Sequence, residues 1–158
     1  MKIQVGNILE EVTSGIILQQ VNCQGVMGSG FAKAILDKYP EVYKQFRNLS
    51  QRFLAQDPSG ASLLGECQLV RVAPDLFVAN LFGQQYYGRT GAKYTKYTKY
   101  DALDSSLHFL ANLKDELNLP IHHPDIGCGL GGGKWSIVSA IISENLGEST
   151  TLWVQPKS

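Results

Sequence analysis

The sequence lacks the features that mark several other classes of protein. No apolar run approaches the roughly 18 residues that a membrane-spanning helix needs, and Met1 to Val5 lacks the long apolar core of a signal peptide. The three cysteines, Cys23, Cys67 and Cys128, are odd in number and have no paired metal-ligand spacing, which disfavours a disulfide framework and a zinc site. We therefore expect a cytoplasmic protein with reduced thiols, without a membrane partner, a metal or a cofactor.

An excess of charge of either sign is also absent. The 158 residues contain 14 Lys and Arg and 14 Asp and Glu, so the formal net charge is zero. Nonspecific binding of nucleic acid normally depends on a basic excess, so a nucleic-acid partner is disfavoured. The length suits a single domain over residues 1–158, which we expect to be monomeric.

What the sequence does contain is an alternation of strand and helix patterns. Short apolar, β-branched runs predict strands over 3–5, 16–21, 66–72, 76–82, 119–123 and 152–154, the third and fourth of which form a hairpin. Apolar residues at helical spacing predict helices over 31–39, 41–54 and 101–116, and another between Trp135 and Leu146. This order predicts a three-layer α/β/α domain with a central mixed sheet and a ligand crevice beyond the carboxyl ends of its strands.

Two glycine-rich turns fall at that edge of the predicted sheet, Gly25-Val26-Met27-Gly28-Ser29-Gly30 and Gly127-Cys128-Gly129-Leu130-Gly131-Gly132-Gly133. Glycine lets backbone N–H groups approach an anion closely, and a helix N-terminus behind each turn would add about half a positive charge. Either turn alone could serve only close packing. Together they predict a two-sided site for a diphosphate.

Three other glycine-loop motifs fit less well. In the second turn Cys128 replaces the first glycine of a nucleoside-triphosphatase loop, and Trp135 replaces its magnesium-binding hydroxyl. A cysteine-phosphatase loop would need an arginine where Lys134 stands, so Cys128 is interpreted as a packed residue. The first turn lacks the glycine spacing of a dinucleotide-binding fingerprint and follows the second strand of the chain.

Several segments together resemble the macrodomain family of ADP-ribose-binding domains. They are Gly6 to Leu9, Asn22 to Ala32, and Ile126 to Leu130 followed by Trp135. The segments Leu64-Gly65-Glu66-Cys67 and Asn80-Leu81-Phe82 resemble the yeast-type ADP-ribose 1''-phosphate phosphatases in particular. The chain also resembles the terminal ADP-ribose glycohydrolase branch, which includes antitoxin macrodomains.

The resemblance implies where a ligand would lie. Asn7 and Ile8 would lie at the adenine end, where the family usually has an aspartate before the apolar residue, or Asn7 is simply a turn asparagine. The distal ribose would be reached by Asn22. The diphosphate would be held by the two turns, at Gly25, Val26, Met27, Gly28, Ser29, Gly30, Phe31, Gly127, Cys128, Gly129, Leu130, Gly131 and Gly132.

The same resemblance argues against the glycohydrolase mechanism. Gln84 stands where that branch places its nucleophilic lysine, and Gly131 stands where it has a catalytic aspartate. A glutamine amide cannot form the lysine adduct, and glycine cannot act as a base. The candidate catalytic residues are Asn22, which could orient substrate hydroxyls or water, Asp125 as a base if it points inward, His123 as an acid or base, and Gln84. Strand alternation makes at least one of His122 and His123 structural.

Three functions remain open on this basis. The first is hydrolysis of ADP-ribose 1''-phosphate to ADP-ribose and phosphate without a metal. The second is binding or sequestration of ADP-ribose-related nucleotides without chemistry, and the third is ADP-ribosyl glycohydrolysis without lysine. A repeated Lys-Tyr-Thr unit at 93–100, with Tyr86, Tyr87 and Arg89, is a solvated loop or a lid that attracts an anionic ligand.

Overall fold

The structure is a computed structural model that describes residues 1–88 and 96–156. In chain order its elements are β1 (Lys2–Val5), α1 (Ile8–Glu11), β2 (Gly15–Gln20), α2 (Gly30–Lys38), α3 (Pro40–Gln56), a 3₁₀ turn (Ala61–Leu63), β3 (Cys67–Ala73), β4 (Leu76–Leu81), α4 (Tyr100–Leu117), β5 (Ile121–His123), α5 (Trp135–Leu146) and β6 (Thr151–Val154). None of the helices in these described ranges is both long enough and apolar enough to cross a membrane.

The strands form one sheet in the order β1-β6-β5-β2-β4-β3. Every neighbouring pair is parallel except β3 and β4, which form the predicted antiparallel hairpin. The sheet is therefore mixed, and the predicted α/β class with a mixed sheet is confirmed.

Two separate apolar clusters cover the faces of the sheet. On one face Ile17 and Val21 pack with residues of α2 and α3, including Ile35 and Phe46. On the other face Ile16 and Leu18 pack with residues of α4 and α5. Because successive side chains of β2 point to opposite faces, this one strand contributes to both cores and all three layers meet along it.

One helix goes beyond the sequence prediction. The backbone N–H of Leu9 donates to the Asn7 side chain over 3.1 Å, so Asn7 is the N-cap of the four-residue helix α1. The backbone of Asn7 is extended, with φ −89° and ψ 108°, and not left-handed as in a turn asparagine. A single helical turn is too short to display helical periodicity, which is why the sequence pattern did not reveal it.

Candidate functional site

A crevice of about 680 Å³ opens at the carboxyl ends of the three adjacent parallel strands β5, β2 and β4. The chain leaves β2 towards α2 and α3 on one face of the sheet, and leaves β5 towards α5 on the other face. Loops that diverge in this way leave a gap between neighbouring strands, where ligands bind in such folds. Both glycine turns contribute residues to this gap.

The side of the crevice formed by the first turn, from Val26 to Ala32, carries free hydrogen-bond donors. The N-cap residue of α2 is Ser29, and its side chain makes no capping hydrogen bond. The backbone N–H groups of Met27, Gly28 and Ser29 also donate to no acceptor within the described residues. An uncapped helix N-terminus beside free amides is the arrangement that binds an anion.

The side chain of Asn22 builds this turn. Its Oδ1 accepts from the backbone N–H groups of Gln24 and Val26 at 3.0 and 3.3 Å, and its Nδ2 donates to the carbonyl of Val26 at 2.8 Å. Asn22 lines the crevice and is 7% exposed. Its carbonyl oxygen is therefore used within the protein, while its amide nitrogen retains one proton that can face a ligand.

The second turn is braced by Thr98. The Thr98 hydroxyl donates to the carbonyl of Gly127 at 2.7 Å, and the N–H groups of Tyr97 and Thr98 both donate to the carbonyl of Gly131 at 2.9 Å. The N–H groups of Gly129, Leu130 and Gly131 donate to nothing within residues 1–88 and 96–156. All three residues line the crevice, so their N–H groups are a second set of candidate donors.

The second turn differs from the expectation in one respect. The crevice is lined by Gly127, Gly129, Leu130 and Gly131 of this turn. It is not lined by Gly132, Gly133 or Trp135, the first residue of α5. The helix N-terminus behind this turn therefore does not reach the crevice. Among the described residues that line the crevice, α2 alone contributes a helix terminus, and the second turn contributes those four residues.

Gln84 belongs to a hydrogen-bonded group beneath the second turn. The Nε2 of Gln20 donates to Gln84 Oε1 at 2.9 Å and to Thr98 Oγ1 at 2.8 Å, and Gln84 Nε2 donates to the carbonyl of Tyr86 at 2.8 Å. Gln84 and Asn22 both line the crevice. Both ends of the Gln84 amide are used within the protein.

Asp125 is the one carboxylate among the described residues that line the crevice. It follows β5 directly and is exposed. Asp125 therefore lines the crevice, and its role as an inward-pointing base stays a prediction.

The structure does not bring His123 into the crevice. Its ring is 0% exposed, its Nδ1 faces the carbonyl of Pro124 at 2.9 Å, and its Nε2 lies 3.1 Å from the Thr150 hydroxyl. Because a carbonyl only accepts, Nδ1 carries the proton and Nε2 accepts from Thr150. Burial lowers the pKa of His123, which keeps the ring neutral. His123 is a structural residue in this arrangement, and His122, which accepts from the Trp153 indole, also faces away.

Four further expected ligand residues do not line the crevice. Ile8 is buried in the core beside α2, and Asn7 is occupied as the cap of α1. Gly25 lies against Ser50 of α3 with φ +76°, so it shapes the turn from behind. Cys128 packs against the core formed by α4 and α5, and burial raises the pKa of its thiol to about 11, which excludes a thiolate nucleophile near neutral pH.

The crevice also contains residues that the sequence prediction missed. The missed lining residues are Gln19, Gln20, Val21, Ala32, Gly88, Pro124 and Ile126, whereas Tyr87, which also lines the crevice, belongs to the segment predicted to be a loop or lid. The signal for the first two was present, since two glutamines end the apolar strand Ile16-Ile17-Leu18 at the sheet edge that binds ligands. Arg89 and the stretch 93–95 of the predicted lid lie outside the described residues. Next to it, Lys96 lies 4.0 Å from the centre of the Tyr100 ring.

A sheet order with one antiparallel edge strand and two glycine turns across a crevice define a class of α/β/α ligand-binding domain. The chain is 30% identical to a solved protein of unknown function from Bacteroides thetaiotaomicron, with a TM-score of 0.82 over 99% of each chain. It is 29% identical to a macrodomain protein from Streptomyces coelicolor, with a TM-score of 0.75 over 98% of this chain and 100% of the other.

A curated protein gives a similar result. The chain is 26% identical to the ADP-ribose 1''-phosphate phosphatase of Saccharomyces cerevisiae (strain YJM789), over 90% of this chain and 91% of that protein. No family model matches the chain. On the strength of the fold and these relatives, the chain belongs to the macrodomain family.

Proposed function

We propose that this macrodomain binds ADP-ribose derivatives in the crevice and hydrolyses ADP-ribose 1''-phosphate to ADP-ribose and phosphate. The observation that carries binding is the pair of facing backbone surfaces, one of them an uncapped helix N-terminus, whose N–H groups have no acceptor within the described chain. A volume of about 680 Å³ lies within the usual range of about 300–1,000 Å³ for small-ligand sites. The activity named for the Saccharomyces relative supports the choice of substrate.

The reaction needs a water, a base and a place for the phosphate. Asp125 would take a proton from a water molecule. The oxygen of that water bonds to phosphorus while the bond from phosphorus to the C1'' oxygen breaks. The same proton would return to that leaving oxygen, which becomes the free hydroxyl of ADP-ribose. Backbone N–H groups would hold the phosphate oxygens in place, and such positioning lowers the barrier without a covalent intermediate.

Phosphate release from ADP-ribose 1''-phosphate tests the activity directly. We expect release above a buffer control between pH 5 and 9, and a loss of about 100-fold or more in kcat for Asp125→Asn, because general base catalysis contributes about 10²–10⁴-fold. Asp115→Asn, which removes an exposed carboxylate on α4, is the matched control and should match the wild type. Absence of release from the wild type would rule out the phosphatase.

Binding without chemistry is the second candidate, and one feature favours it. The side chains of Asn22 and Gln84 are largely occupied by protein hydrogen bonds. Of the candidate catalytic residues that line the described crevice, this leaves Asp125, its only carboxylate, available for chemistry. A domain that binds and sequesters nucleotides would need no more. Calorimetric titration with ADP-ribose separates the cases, since binding without phosphate release identifies a binder and absence of binding contradicts both functions.

Glycohydrolysis without lysine ranks third. A Cβ atom at Gly131 would lie 2.4 Å from the Thr98 hydroxyl oxygen and 2.8 Å from the Gly127 carbonyl. A carboxylate side chain therefore does not fit at this position in the present arrangement of the turn. Release of label from ADP-ribosylated protein or nucleic acid would be needed to revive this function.

A further inference from the structure

The strand β1 forms one edge of the sheet, and within the described residues no strand pairs with its outer side. The N–H groups of Lys2 and Gly6 donate over 2.9 Å to carbonyls of the segment 150–154, which contains β6. Because backbone groups alternate in direction along a strand, the N–H and C=O groups of Ile3 and Val5 point away from β6. The edge therefore presents the backbone of two residues to another strand.

The apolar side chains of this edge are also uncovered. Ile3 is 71% exposed and Val5 is 60% exposed, and both lie on the same face of the sheet because side chains alternate along a strand. Val154, which stands beside Val5 on β6, is 43% exposed. An open edge with neighbouring exposed β-branched residues is a surface that favours pairing with another strand.

A second copy of β1 fits this edge in one antiparallel register. Residues whose backbone groups point outward must stand opposite each other, so Ile3 pairs with Val5 of the second copy and exchanges both N–H···O bonds with it. A shift of two residues in either direction would place Ile3 or Val5 opposite a residue outside β1. The register that keeps all the pairs within the strand also places Gln4 opposite Gln4 and Lys2 opposite Gly6 of the second copy.

The position opposite Lys2 carries a negative charge. A carboxylate oxygen of Glu11, at the end of α1, occupies the place where a side chain at Gly6 would stand. Lys2 points to the same face as α1, because Gln4 lies beside Trp153, which packs in the core that contains α1. In the paired copies Lys2 therefore faces the Glu11 carboxylate of the other copy.

The twofold axis repeats this contact, so two opposite-charge pairs would form. Directly opposite Cβ atoms in an antiparallel pair are about 4.5–5.5 Å apart, a distance that a lysine side chain spans. Both Lys2 and Glu11 are exposed, and neither belongs to an ion pair within the described residues. The charges on one face and the apolar side chains on the other therefore both complement a second copy.

We propose that β1 is an interface at which two copies of this chain pair antiparallel and join their six-stranded sheets into one. Lys2 and Glu11 bind across one face, and Ile3 and Val5 of both copies cover each other on the opposite face. Association closes at a dimer, because the pairing occupies the β1 edge of both copies. None of these four residues lines the crevice, so the proposal is independent of the proposed function. It differs from the monomer expected from the sequence.

Sedimentation velocity at protein concentrations from about 10 µM to about 1 mM tests the dimer. A strand of four residues offers a small interface, so we expect a weak dimer, with a Kd of about 10–500 µM. Lys2→Glu and Glu11→Lys should each weaken it about tenfold or more, because each places like charges opposite each other. Lys44→Glu on α3 and Glu116→Lys on α4 change exposed residues by the same charge and should dimerise like the wild type.

Mixing the two charge variants gives a sharper test of the register. The Lys2→Glu chain carries acids at both positions and the Glu11→Lys chain carries lysines at both, so each repels its own copy. A mixed pair has opposite charges at both contacts. We expect an equimolar mixture to associate about tenfold more tightly than either variant alone.

The other outcomes overturn the proposal. A wild type that stays monomeric up to about 1 mM leaves the edge to a strand of another protein. An oligomer larger than a dimer, a dimer that neither charge variant weakens, or a mixture that associates no better than its components contradicts the register. If a charge variant does not fold, Ile3→Asp decides, because it places a carboxylate among the apolar side chains. It should weaken the dimer about tenfold relative to Ile137→Asp, which changes an exposed isoleucine of α5, and equal dimerisation of these two variants overturns the proposal.

Discussion

Gly129 and Gly131 stand two positions apart in the same turn, but the space around them differs. Apart from its chain neighbours, no atom of the described residues lies within 4 Å of a Cβ built on Gly129. A Cβ on Gly131 would collide with the Thr98 hydroxyl, which is held on one side by Gln20 and on the other by the Gly127 carbonyl. Close packing therefore explains why a glycine stands at 131, but it does not explain the glycine at 129.

This difference gives a prediction for the two single substitutions. Gly131→Ala should destabilise the protein by about 1–3 kcal/mol, since overpacking of a fixed contact costs roughly that much. Gly129→Ala should leave the free energy of unfolding within about 0.5 kcal/mol of the wild type. Urea denaturation of both variants measures the contrast, and equal stabilities would show that Thr98 moves aside at little cost.

At the scale of an element, α2 combines a position beside the crevice with an unsatisfied N-terminus. Ser29 stands at the N-cap, where serine often bonds to the first turn of a helix, yet it makes no such bond here. The cost of leaving those N–H groups without a capping side chain is understandable if an anion satisfies them on binding. The uncapped N-terminus of α2 then lowers the stability of the free protein and provides N–H donors for a bound anion.

Substitution of Ser29 separates capping from charge. Ser29→Asp should raise the stability of the free protein by about 1 kcal/mol through capping, and should weaken ADP-ribose binding about tenfold or more because its carboxylate repels the diphosphate. Ser29→Asn caps comparably without charge and is the control, with a smaller loss of affinity. Thermal melting and calorimetric titration measure both effects. An Asp variant that binds as tightly as the Asn variant would remove α2 from the anion site.

The regular elements were largely predictable because their signals are local. The hairpin of β3 and β4, the helix predicted over 41–54 and the stripe of leucines along α4 follow from residues close in sequence. The hydrogen bond from Gln19 to Asn80 could not be predicted in this way, because the two residues are 61 positions apart and meet only through the register of β2 and β4.

Individual side-chain roles were the least predictable part of the site. Strand alternation predicted that at least one of the two β5 histidines is structural, whereas the structure places neither of them in the lining of the crevice. His123 faces Thr150 and Trp135 instead. Asn22 was expected to reach the ribose, whereas the structure also gives it the task of folding the first turn.

At the scale of the whole molecule, the site exists only in the assembled sheet. The first turn follows β2 and the second follows β5, and these strands are neighbours although about a hundred residues separate the two turns. In the unfolded chain the two turns are not held near each other. A ligand held between them therefore binds the folded state alone, and its binding free energy adds to the free energy of unfolding.

The melting temperature of the whole domain should consequently report on the crevice. At a ligand concentration 100 times Kd the added stability is about 2.7 kcal/mol, which for a domain of this size corresponds to a rise of about 5–10 °C in Tm. We expect this rise with ADP-ribose in differential scanning calorimetry, and a much smaller one with AMP at the same concentration, because AMP has no diphosphate to span both turns. Equal shifts with the two ligands would mean that only one turn binds phosphate, and no shift at millimolar ADP-ribose would mean that the crevice does not bind it.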